Sequence, residues 1–121
     1  MNPLRRSLLC SCGFILLCPL LAGCRPQTPP PMPLNQLNAQ QRRGYQDFHI
    51  YCSQCHDDRD ADSLHGPPLL GVFKQPYLPS GAPANDERVV ATIRDGHGLM
   101  PPIDMMDSQQ MQDLLAYLHT L

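Results

Sequence analysis

The sequence contains no tryptophan, aromatic residues are only 6% of its 121 positions, and charged residues only 17%. Nine lysines and arginines stand against eleven aspartates and glutamates, a formal charge of −2. That balance offers no basic surface of the kind that nucleic acid requires. No apolar run is long enough for a permanent membrane span. The stretch at residues 7–21 is short and broken by Gly13 and Pro19. No acid–base pair or activated nucleophile stands out, so the chain does not read as an enzyme. A calcium loop is also excluded. Asp58, Asp60 and Asp62 alternate as such a loop demands, but no glycine follows Asp62, and Leu69 stands where the bidentate glutamate belongs. Residues 57–62 read instead as a solvated acidic loop. The length allows one domain.

What the chain does have is proline, 14 residues, and cysteine, 6 residues. Three of the cysteines, Cys10, Cys12 and Cys18, lie in the first twenty residues. Arg5 and Arg6 precede the apolar run, which is the layout of a secretory signal. The run ends in Leu21-Ala22-Gly23-Cys24, which resembles the bacterial lipoprotein signal. The resemblance implies cleavage before Cys24 and lipidation of that cysteine; an ordinary signal peptide is the plainer alternative. More than one lipid chain gives stable anchoring. Loss of residues 1–23 leaves seven cationic and eleven acidic residues, a formal charge of −4. Residues 25–33, R-P-Q-T-P-P-P-M-P, read as an extended proline-rich tether.

Only Cys24, Cys52 and Cys55 then remain, and no disulfide is required. Cys52-Ser53-Gln54-Cys55-His56 has the spacing of a c-type haem attachment site. Two thiols three positions apart can reach two vinyl groups on one edge of a haem. The histidine that follows lies under the iron as its proximal ligand. A thioredoxin-like Cys52–Cys55 disulfide is the main rival. It predicts a βαβ context and gives His56 no role.

Around this motif the patterning is helical. Asn38 with Gln41 forms a plausible capping pair, and Gly44, Phe48 and Tyr51 follow at helical spacing into Cys52. Asn85 is an N-cap, Asp86 and Glu87 suit the first turn, Val89, Val90 and Ile93 form a stripe, and Gly96 ends the helix. Asp107 with Gln110 opens a last helix, whose apolar face is Met111, Leu114, Leu115, Leu118 and Leu121.

C-x-x-C-H, then G-P-x-L-x-G at residues 66–71, then Met100-Pro101, occur in the order that resembles the class I cytochrome c family. The resemblance covers residues 43–121. It implies a small all-α fold of three to five helices wrapped around one covalently bound haem c. It implies that a carbonyl near Pro67 accepts the His56 ring N–H, fixing its tautomer. It implies Met100 as the sixth ligand, with Met105 and Met106 as rivals and His97 as a bis-histidine alternative. A lone methionine is more often core packing; the flanking glycines and prolines favour ligation here. Tyr77 and Arg94 are candidates for haem propionates, each weighed against a plain surface role. The terminal helix is expected to cross the first near Gly44 and Phe48.

The chain therefore divides into a signal peptide at 1–23, lipidated Cys24 with its tether at 24–37, and a haem domain at 38–121. So short a domain buries little surface, and a covalent haem would supply much of its core. The expected work is single-electron transfer between redox partner proteins, at a bacterial membrane facing the periplasm. Residues 57–62 are a possible docking patch for a basic partner. The alternatives are an electron-transfer subunit of a larger periplasmic dehydrogenase or oxidase, and a sensor haem that binds a small gas on the Met100 side.

Overall fold

Asn38 opens the first helix with a reciprocal cap. Its side chain accepts the Gln41 N–H at 2.9 Å, and the Gln41 side chain accepts the Asn38 N–H at 2.9 Å. Helix α1 then runs over Ala39–Tyr51. The computed structural model describes residues 28–121. The leader, the lipoprotein-like tetrapeptide and Cys24 lie outside the described residues. Helix α2 covers Asp86–Asp95, capped by the Asn85 side chain on the Arg88 N–H. Helix α3 covers Ser108–Leu118, with a second reciprocal cap between Asp107 and Gln110. A short 3-10 turn at Leu34–Gln36 precedes α1. Among the described residues there is no strand, only isolated bridges at Tyr77–Pro83 and His97–Met100. The βαβ context of a thioredoxin-like protein is not there, and the described fold is all-α.

Helices α1 and α3 cross, and this crossing makes the core. Gly44 sits directly against the Asp113 backbone carbonyl, and a side chain at 44 would also meet the Tyr117 Cβ at 2.9 Å. The absence of a Cβ thus allows the two backbones to touch. Phe48, Met111, Leu114, Leu118 and Leu121 are buried around the crossing. Tyr117 stacks edge-on against Tyr45 at 5.3 Å between ring centres. Leu115, expected on the same face, is only half-buried at its edge.

Polar groups frame this crossing. Arg43 donates from Nε and Nη2 to the two Asp113 carboxylate oxygens, at 2.6 and 3.1 Å. The guanidinium holds the Asp113 carboxyl below the usual carboxylate range. Gln110 Nε2 donates to Asp47 Oδ1 at 3.1 Å. Burial pushes the Asp47 carboxyl upward, against the help of that bond.

The acidic loop differs from expectation. Asp57 Oδ1 accepts the Arg59 and Asp60 N–H groups at 3.0 and 2.9 Å, a local turn. Asp58, however, is buried, and the Tyr117 hydroxyl donates to its Oδ2. The loop that follows His56 is therefore pinned to α3. Burial, reinforced by Asp58, raises the Tyr117 phenol well above its ordinary value of 10.0, so it remains a donor. A buried carboxyl without that donor would be costly.

The proline-rich segment also departs from a free spacer. Four of the five residues at 29–33 are proline, and Met32 is the one with an N–H. That N–H donates to the Thr120 carbonyl at 2.8 Å, while the Met32 carbonyl accepts from Arg59 Nη2 at 2.9 Å.

Candidate haem site

Helix α1 delivers the attachment motif at its C-terminus. Cys52 caps the helix, its N–H donating to the Phe48 carbonyl at 2.8 Å. One more turn follows: the N–H groups of Cys55 and His56 both donate to the Cys52 carbonyl at 3.0 Å. Cys52, Cys55 and His56 thereby face one cavity. Cys52 is buried and Cys55 half-buried, and they are not joined in a disulfide. Burial, with Asp47 and Cys55 nearby, pushes the Cys52 thiol up to about 12.

Two backbone bonds lay the next segment beside the motif. Gly66 N–H donates to the Cys55 carbonyl at 2.7 Å, and Leu69 N–H to the Asp57 carbonyl at 2.7 Å. This brings the Pro67 carbonyl within 2.7 Å of His56 Nδ1. A carbonyl can only accept, so Nδ1 carries the proton and the Nε2 lone pair is free for a metal. Gly66 lies against the imidazole itself: a Cβ there would stand 2.8 Å from Nδ1 and close to the other ring atoms. Gly66→Ala is expected to push the ring off the Pro67 carbonyl, at a cost of ~1–3 kcal/mol. Thermal melting of the haem-loaded protein checks this, and an unchanged melting temperature would contradict it.

Across the cavity stands the loop after α2. Gly96 has φ 76, a left-handed conformation suited to glycine, and a Cβ there would lie 2.6 Å from the Met100 carbonyl. His97 and Met100 exchange both backbone hydrogen bonds, at 3.0 and 2.9 Å, in a tight turn. Met100 is half-buried and lines the cavity. Met106 is 2% exposed in the core and Met105 is 74% exposed; neither lines the cavity. His97 does line it, from an exposed position. Arg94 is committed elsewhere: its Nη1 donates to the carbonyls of Asp104 and Met106, at 3.1 and 2.7 Å. Tyr77 is 63% exposed and lies outside the cavity wall.

The cavity holds about 530 Å³; apolar side chains such as Leu69, Val72, Leu78, Val89 and Ile93 make most of its wall, and His65, Ser80 and Thr92 also line it. Two thiols, an imidazole with its Nδ1 occupied, and a methionine around one cavity suit a haem in chemistry. Among the described residues no cluster of three or more histidine, cysteine or acidic side chains converges on a metal position.

Sequence reasoning missed three features here. The Asp58–Tyr117 bond, the Arg94 clamp and the seat of the His56 ring on Gly66 all steady the site. Only Gly66 left a trace, as the first residue of the G-P-x-L-x-G run.

A helix ending in an attachment motif, with a second helix crossing it and an apolar cavity beside both, defines the class: a small, all-α, monohaem c-type cytochrome domain. The family model described as cytochrome c oxidase, cbb3-type, subunit III matches residues 39–118, and the chain belongs to this family. The domain carries covalently bound haem c, and its family work is electron transfer. The match runs from the first residue of α1 to the last of α3. No curated protein matches the chain.

Proposed function

We propose that this protein is a membrane-tethered carrier of single electrons, with one haem c bonded through Cys52 and Cys55 and ligated by His56 and Met100. The observation that carries the reading is that His56 and Met100 face the same cavity from opposite segments, each fixed by its own backbone partners. The haem supplies the ferric–ferrous couple. The chain's part would be to hold the His56 and Met100 donors in place, to limit water in the cavity with its largely apolar wall, and to fix the His56 tautomer through Pro67. A thioether is soft and uncharged and favours the ferrous state, which raises the potential over that of a second imidazole.

Were His56 and Met100 both to ligate the iron, no position would be left for a substrate, and the protein would act as a carrier rather than an enzyme. Its partners are an electron donor and an electron acceptor, not nucleic acid. Attachment to the membrane is by lipid on Cys24, facing the periplasm. Among the described residues no helix is long and apolar enough to cross a membrane.

Carbon monoxide tests this reading. The reduced protein is expected to keep its visible spectrum under the gas while it exchanges electrons with a small soluble redox dye. A shifted spectrum under carbon monoxide would favour the sensor alternative instead. The description of the matching family names an oxidase subunit, which favours a second reading: this chain as the electron-transfer subunit of a larger complex. Co-purification of a stoichiometric larger partner from gently solubilised membranes would support that reading over a free carrier.

A further inference from the structure

Residues 28–37 lie upstream of the family match and are laid against the haem domain at three places. The Thr28 Cγ2 occupies the space that a side chain on Gly71 would need. Met32 is tied through its N–H to Thr120 and through its carbonyl to Arg59. Leu37 buries its side chain in the core at 4% exposure, and its carbonyl accepts from Arg42 Nη2 at 3.0 Å. Between the first two points runs a stretch of prolines, extended and without hydrogen bonds of its own. Gly71 and Arg59 belong to the loops that follow His56, and Thr120 to the end of α3. None of the hydrogen bonds of residues 28–37 goes to the Met100 loop.

We propose that this proline strap fixes how the domain sits on the membrane. The strap holds the face around Thr28, Gly71 and Lys74 against the lipid headgroups, closer than the Met100 loop, which none of its hydrogen bonds reaches. The proposal rests on the lipid-anchor reading of Cys24. A free tether from Cys24 to Asn38 would reach ~43 Å at ~3.1 Å per residue. A strap pinned from Thr28 leaves only the residues between Cys24 and Thr28 as leash, at most ~14 Å. A domain of this length is ~30 Å across. A leash shorter than the domain is wide keeps the surface where it is pinned, around Thr28, nearer the bilayer than surfaces a domain width away.

The test uses the full-length, haem-loaded protein in membranes. A photoreactive residue is placed at Lys74, exposed on the turn that begins at Gly71, or at Leu99, 100% exposed on the Met100 loop. The readout is the yield of lipid adduct by mass spectrometry. A several-fold higher yield at 74 than at 99 is expected. Met32→Pro keeps the extended backbone but removes the N–H and sets a ring carbon against the Thr120 carbonyl. It is expected to equalise the two yields with the haem spectrum unchanged. A ten-residue glycine–serine insertion after Gln27 leaves the strap contacts intact and lengthens the leash; it too is expected to equalise them. Equal yields in the parent protein, or a preference that survives the insertion, would overturn the proposal. Cys24→Ser separates the two readings. If that variant stays on the membrane, lipidation is refuted and the uncleaved leader is the anchor. Because the leader ends at the same place, the adduct ratio still decides the strap proposal.

Discussion

Replacement of Met100 by alanine is expected to abolish the thioether-to-iron charge-transfer band at the red edge of the visible spectrum. The potential is expected to fall by on the order of 0.1 V, within the roughly 0.8 V that axial ligands span. The other methionines provide the control. Met105 is 74% exposed and outside the cavity, so Met105→Ala should leave both band and stability alone. Met106 is 2% exposed in the core, so Met106→Ala should cost ~2–5 kcal/mol and still leave the band in place. The pattern across the three variants separates ligation from packing, which a single variant would confound. A band that survives Met100→Ala would remove Met100 as the ligand in favour of another methionine; a parent protein without the band would turn attention to His97, which lines the same cavity.

The second large effect is expected at Gly44. In an exposed helix, glycine to alanine stabilises by ~1 kcal/mol. Here the sign reverses. A Cβ at 44 runs into the Asp113 backbone carbonyl, and backbone cannot swing aside as a flexible side chain can. The helices would have to part, and with them the packing of Phe48, Leu114 and Tyr117. Overpacking of this kind costs ~3 kcal/mol or more. For a domain of this size the melting temperature should fall by more than ~10 °C. Thermal unfolding followed by circular dichroism reads it directly. A melting temperature equal to or above that of the parent would mean that the crossing is looser than the geometry implies.

Both predictions concern features that the sequence announces, and they differ from those it hides for a physical reason. Asn38 with Gln41, Asn85, and Asp107 with Gln110 are legible because a cap and its partner lie three residues apart. The apolar stripe of α3 is legible from its period, and the attachment motif from its spacing. The Asp58–Tyr117 bond joins residues 59 positions apart, and nothing in a run of aspartates marks one as buried. The Met32–Thr120 bond joins the two ends of the described chain, where composition says only that the segment is extended. Asp113 sits within an apolar helix face and reads locally as a solvated acid; its partner Arg43 is on another helix. Pairings fixed by tertiary closure have no local signature. The site residues came from motifs, while the groups that brace them came from the fold.

Arg94 holds the carbonyls of Asp104 and Met106, and the Ile103 N–H donates to the Ile93 carbonyl at 2.8 Å. Helix α2 and the segment after Met100 are thus tied into one body by side chain and backbone alike. If that body holds the thioether in one place in both oxidation states, the nuclei around the iron have little distance to travel when charge arrives. Inner-sphere reorganisation energy would then be small, and a guanidinium buttress that touches no electron carrier would help to set how fast electrons hop.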